Sequence, residues 1–194
     1  MKTFWQTIWV ALSMYSRLPV PRAEWNSKNM RYALCALPLV GVFSGALLWL
    51  WDWLCRALEP GEMLLGAGVV LLPILVTGGF CDTCDALASH GDREKKLAIM
   101  KDSNAGAFAV LGCACYLLFY FALASQWKTG GTWAFLMGLA MVLERALAGL
   151  SLCLMPCARN SGLARIFADG AAKKNTGIFL VFVAILAFCG LVFL

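Results

Sequence analysis

Asp82 and Asp85 stand three residues apart in the stretch Thr77-Gly78-Gly79-Phe80-Cys81-Asp82-Thr83-Cys84-Asp85-Ala86-Leu87, directly after an apolar run. On a helix that spacing projects both carboxylates from one face. Two neighbouring carboxylates repel each other unless a cation neutralises them. Hard divalent cations such as Mg²⁺ take oxygen ligands and usually share their shell with substrate phosphates. A metal-assisted phosphate site is one reading. The other is that the two acids only solvate the end of an apolar helix. The connection 82–102 holds five of the chain's eleven acidic residues, Asp82, Asp85, Asp92, Glu94 and Asp102. Acidic chemistry would centre there.

Three further groups carry chemical types. Lys101-Asp102-Ser103-Asn104-Ala105-Gly106 opens the next apolar run. Asp102 or Ser103 reads as a helix N-cap. The same geometry makes an anion site, because unpaired backbone N–H groups and the helix dipole favour a phosphate, and Lys101 adds a charge. Cys81 and Cys84 form a Cys-x-x-Cys pair. A zinc site would need a second ligand pair, and a redox motif would need alternating strands and helices. Neither is evident, so the thiols read as packing residues. Glu144-Arg145 interrupts an apolar stretch. Adjacent helix positions do not face each other, so the pair is not expected to be a simple mutual salt bridge. Either one of them meets a polar cavity or another span, or the helix is shorter than drawn and the pair sits near its end.

The elements that must position these residues are membrane helices. Of 194 residues, 61% are hydrophobic and 14% charged, against about 45–50% and about 25% in soluble domains. Apolar runs extend over Tyr32 to Trp51, Met63 to Cys81, Ser103 to Trp127, Trp133 to Met155 and Asn175 to Leu194, and roughly 20 such residues cross a bilayer. The first run, Thr3 to Ser16, is shorter and reads as an interfacial or re-entrant helix, with Trp5, Trp9 and Tyr15 suited to headgroup depth. The expectation is an all-α polytopic membrane protein with about five transmembrane helices plus that short N-terminal helix. Residues 1–194 are expected to form a single membrane-embedded domain.

The net charge of +5 does not imply a nucleic-acid partner, because the Lys and Arg residues form no basic domain. Connections 17–31, 82–102 and 158–174 hold four each, whereas 52–62 and 128–132 hold only Arg56 and Lys128. The positive-inside rule puts the three basic connections in the cytoplasm, and the last residue of the chain then falls outside. Cys35, Cys113, Cys115, Cys153 and Cys189 lie within apolar stretches, where cysteine acts as a small hydrophobe. Reduced thiols are expected.

Several segments resemble the cobalamin synthase (adenosylcobinamide-GDP ribazoletransferase) family. They are Ser16-Arg17-Leu18-Pro19-Val20-Pro21-Arg22, Leu37-Pro38-Leu39-Val40-Gly41, Thr77-Gly78-Gly79-Phe80, Asp82-Thr83-Cys84-Asp85-Ala86-Leu87, Ile99-Met100-Lys101-Asp102-Ser103 and Gly106-Ala107-Phe108. Weaker similarity follows at Arg145 and Ser161-Gly162-Leu163. The resemblance implies Mg²⁺-dependent transfer of the phosphorylated corrinoid of adenosylcobinamide-GDP to α-ribazole or its 5′-phosphate, with release of GMP. It implies Asp82 and Asp85 as catalytic metal ligands, and Lys101, Asp102, Ser103 and Arg145 as phosphate contacts. It also implies a multi-pass protein of the cell inner membrane, with its site facing the cytoplasm and room for a homo-oligomer. Two departures stand out. The family runs from Gly-Gly-Phe through His-x-Asp-Gly before its Asp-x-x-Asp pair, whereas here Phe80 meets Cys81-Asp82 directly. The family chain also continues beyond the position of Leu194. Turnover below that of a complete relative is expected. The rival readings are another transferase acting on CDP-alcohol-type substrates and a non-enzymatic cation transport component.

Overall fold

A computed structural model describes residues 2–15, 26–58, 64, 66–70, 79–102, 104–126, 131–158 and 162–193. Every regular element among them is helical. They are α1 (Lys2–Tyr15), α2 (Ser27–Met30), a 3₁₀ turn (Ala33–Ala36), α3 (Leu37–Leu58), α4 (Gly79–Ala88), α5 (Arg93–Ile99), α6 (Ala107–Ala124), α7 (Gly131–Leu154), α8 (Leu163–Gly170) and α9 (Lys173–Phe193). Residues 66–70 are also helical. Four stretches are long and apolar enough to cross a membrane: Ala33–Leu58, Ala107–Ala124, Thr132–Leu154 and Lys173–Phe193. They correspond to four of the five expected spans. The fifth, Met63 to Cys81, lies largely outside the described residues. The first span runs on past Trp51 because Asp52 does not end it: the carboxylate is buried in α3 and pairs with Arg56 one turn later at 2.9 Å.

The chain divides into two compact units, residues 1–56 with 130–194, and residues 57–129. In the first, α1 is 14 residues long. At the helical rise it covers about 21 Å, short of the roughly 30 Å of hydrocarbon. It buries Val10 and Ala11, and Val10 joins Met30, Ala33, Leu34, Leu37 and Phe167 in one cluster. Phe167 comes from α8, whose outer face carries Arg165 bonded to Asp169 at 2.7 Å. Ala172 N–H donates to the Arg31 carbonyl at 3.0 Å. Two basic connections thus meet at one end of the unit.

The long helices of this unit approach through glycine. Gly41 and Gly45 lie four apart on one face of α3, a spacing that lets membrane helices pack backbone to backbone. A Cβ at Gly45 would stand 2.7 Å from Gly138 Cα of α7, and one at Gly41 would stand 2.6 Å from the Met141 carbonyl oxygen. Along α7, Gly149 accommodates Leu180 of α9, and Gly190 of α9 accommodates Leu139. The buried α9 positions Thr176, Leu180, Ala184 and Ala187 recur at helical spacing and make one seam.

In the second unit, α4 packs against α5 and α6, and Gly66 lies against Ser125 just beyond the end of α6.

Gly45→Leu should lower stability by about 1–3 kcal/mol, because the new side chain meets backbone that cannot yield. Gly177→Ala in α9, where a Cβ meets nothing within 4 Å, should be neutral or stabilise by up to about 1 kcal/mol. Unfolding of both variants in detergent micelles checks the contrast.

Candidate active site

The site of interest lies in the second unit and begins with a helix that cannot cap itself. The N-cap of α6 is Gly106, in extended conformation and without a side chain to accept a hydrogen bond. The first turn of any helix leaves backbone N–H groups without intrahelical partners. Asp85 of α4 supplies the missing acceptor. One of its carboxylate oxygens accepts from Gly106 N–H at 2.5 Å, the other from Ala109 N–H at 2.7 Å. A carboxylate here also sits at the positive end of the α6 dipole.

Glycine at 106 is what lets the carboxylate come so close. A Cβ there would lie 2.8 Å from both Asp85 oxygens. One turn on, Ala109 is buried, and a Cβ at Gly112 would lie 2.6 Å from Cys84 Sγ. Gly106, Ala109 and Gly112 make a strip of small residues on α6 that receives Cys84 and Asp85. Cys84 is thus a packing residue. Cys84 and the other cysteines whose side chains are described, Cys35, Cys55, Cys113, Cys115, Cys153, Cys157 and Cys189, are free thiols.

The N-cap assignment is corrected by this geometry. The N-cap position of α6, which starts at Ala107, is Gly106 and not Asp102. Lys101 and Asp102 instead close the end of α5: their N–H groups donate to the carbonyls of Ala98 and Ile99 at 3.0 Å each. Asp102 then turns the chain by accepting from Asn104 N–H at 3.0 Å. Both residues are exposed. Asp92 caps α5, accepting from Lys95 N–H at 2.9 Å. Ser103 and the side chain of Asp82 lie outside the described residues. The backbone of Asp82 is in α4, and the Phe80–Cys81 junction falls inside the same helix.

Arg145 belongs to the other unit. Its guanidinium donates to the Glu144 carboxylate, so the expectation that these neighbours would not pair is also corrected. The long arginine side chain reaches around the helix, beyond the range that Cβ directions suggest. The ion pair leaves Glu144 63% and Arg145 17% exposed. It sits near the middle of α7, not at its end, so the helix is not shorter than drawn.

Among the described residues, no group of three or more His, Cys, Asp or Glu side chains lies close enough together to hold a metal ion. Any cation held at α4 would need oxygen atoms from a ligand as well. Asp85 was expected as a site residue. What no local signal in the sequence indicated is that it braces a helix 21 and 24 residues further along.

Long apolar helices, with a carboxylate-bearing helix bound to the start of one of them, define a polytopic helical membrane protein. The family model described as cobalamin-5-phosphate synthase matches residues 7–194. The chain belongs to that family. The adenosylcobinamide-GDP ribazoletransferase of Lachnoclostridium phytofermentans is 34% identical over 190 residues, covering 95% of this chain and 72% of the relative. Proteins of the same name from two Clostridium perfringens strains are 32% and 31% identical over 196 residues, covering 97% of this chain and 78% of each relative. No solved structure matches the chain.

If the Asp85 carboxylate holds α6, Asp85→Ala should destabilise the second unit by about 1–3 kcal/mol, with a smaller loss for Asp85→Asn, which keeps one acceptor oxygen. Hydrogen exchange at Gly106 and Ala109 should quicken in the order parent, Asn, Ala. Unchanged exchange in Asp85→Ala would show that the cap carries no weight.

Proposed function

We propose that this chain is an adenosylcobinamide-GDP ribazoletransferase of cobalamin biosynthesis. An α-ribazole hydroxyl, or that of its 5′-phosphate, attacks the corrinoid-side phosphorus of the diphosphate. The new P–O bond forms as the bond to GMP breaks. Family membership supports the reaction class, and the relatives' names support the substrates. The observation that carries the local reading is the Asp85 brace, which ties α4 to the start of α6.

The donor set fits Mg²⁺. Asp82 and Asp85 share one helix, and a carboxylate has about four lone-pair sites, of which Asp85 gives two to backbone amides. Mg²⁺ asks for only one or two protein carboxylates when phosphates complete its shell. Asp82 would be the principal ligand, with Asp85 contributing a remaining lone pair. Bound there, the ion would neutralise charge building on the leaving phosphate.

The chain's own residues do the positioning. Asp85 holds the carboxylate helix at a fixed distance from the α6 N-terminus. Lys101, exposed in the turn between α5 and α6, offers a mobile cation to the diphosphate, and Asp102 shapes that turn. Ser103 is a further phosphate contact in this reading. The basic connection 82–102 supports a cytoplasmic site in the inner membrane, where nucleotide substrates arrive.

The test is GMP release from adenosylcobinamide-GDP and α-ribazole by the chain in liposomes, with and without Mg²⁺. Asp82→Asn should lose roughly 100-fold in turnover, the scale of removing one electrostatic partner of the reacting phosphate. Asp92→Asn, which keeps a side-chain oxygen for the α5 cap, should match the parent. Equal losses in both variants would reduce the site to a diffuse acidic surface. Release of CMP from a CDP-alcohol, with no GMP from the corrinoid substrate, would reassign the activity.

A further inference from the structure

A cavity of about 1010 Å³ opens on the first unit between α1, the start of α3, α7 and α9. Its wall is apolar, built from residues such as Ile8, Leu39, Val42 and Phe179. Leu39, Val42 and Phe179 are 43%, 52% and 43% exposed, so the groove is open along its side. One end is different. Arg31 lines it, with its guanidinium 5.6 Å from the centre of the Tyr32 ring. Arg31 is exposed and makes no ion pair among the described residues.

Depth and charge together select an occupant. From Arg31 through the 3₁₀ turn and the first turns of α3 to Val42, the helical rises add to about 17 Å. That is close to one leaflet of a hydrocarbon core roughly 30 Å thick. The cationic end lies where the Arg31 carbonyl meets Ala172 N–H, immediately before Lys173 and Lys174 at the start of α9. Basic pockets between membrane helices attract anionic headgroups, and a nearby aromatic ring suits that depth. A groove that is cationic at its rim and apolar for one leaflet below matches a phospholipid, end for end.

We propose that this groove binds one anionic phospholipid, with its phosphate on Arg31 and an acyl chain laid along Leu39, Val42 and Phe179. The lipid closes a gap that protein side chains leave between α1 and the long helices. It holds α1 against the bundle without requiring α1 to span. The site uses residues of the first unit only, so it stands or falls independently of the carboxylate site on α4.

Native mass spectrometry of the full chain in detergent tests this, with phosphatidylglycerol and phosphatidylcholine of identical chains added in equal amounts. The parent should retain one lipid and prefer phosphatidylglycerol by about fivefold, the weight of one cation at a membrane surface. Arg31→Gln should bring the ratio near one, and Arg31→Lys should keep the preference. Val42→Trp, which fills the groove from its exposed wall, should cut total bound lipid by about tenfold or more. Three results would each overturn the proposal: no headgroup preference in the parent, an unchanged preference in Arg31→Gln, or displacement of the lipid by α-ribazole. The last would make the groove a substrate pocket.

Discussion

A backbone amide entering a bilayer has no water to bond, so every N–H and C=O must find its partner within the protein. Helices meet that requirement along their length and fail it at their ends. At the start of α6 the chain offers glycine, which has no side chain to give. Asp85 meets the need from another helix. The arrangement places a carboxylate where the helix dipole favours it and fixes α4 against α6. A residue whose type invites chemistry is thereby held by a structural duty, and the acidic stretch acquires a defined geometry. The two roles support each other, since a ligand that already bonds the backbone loses little freedom when a cation or phosphate arrives.

The first unit meets a different constraint. Between helices in lipid there is little hydrophobic gain, because the acyl chains are as apolar as leucine. Close contact must come from shape. Gly41, Gly45 and Gly138 let α3 and α7 touch at their backbones, while Gly149 and Gly190 receive leucines along the α7–α9 seam. Where small residues give way to Leu39, Val42 and Phe179, the helices part and the open groove begins.

Much of this could be read from residue order. Hydropathy located the described spans to within a few residues, because a long apolar run has few other stable forms in a membrane protein. The boundaries moved where charges behaved individually. Asp52 lies within α3 because Arg56 follows one turn later. The start of α6 was legible as a place needing a cap, but Asp102 and Ser103 were the nearest candidates. The true acceptor lies more than twenty positions upstream, and local rules cannot see it. Glu144 and Arg145 pair against the spacing rule for a related reason: that rule follows Cβ directions, and arginine is long enough to escape it. The pairing of Gly45 with Gly138 has no local signature either, since it is a property of two distant segments.

That pairing has a consequence for how the chain is made. The first unit is discontinuous: it joins residues 1–56 to residues 130–194. Gly45 leaves the ribosome about 90 residues before Gly138, which at 5–20 residues per second is a delay of roughly 5–20 s. Throughout that interval the glycine face of α3 is without its α7 partner. The second unit is contiguous and can pack first. The contact between Gly45 and Gly138 can therefore form only after the second unit has been made, and a nascent chain that stalled within α6 would leave Gly45 without it.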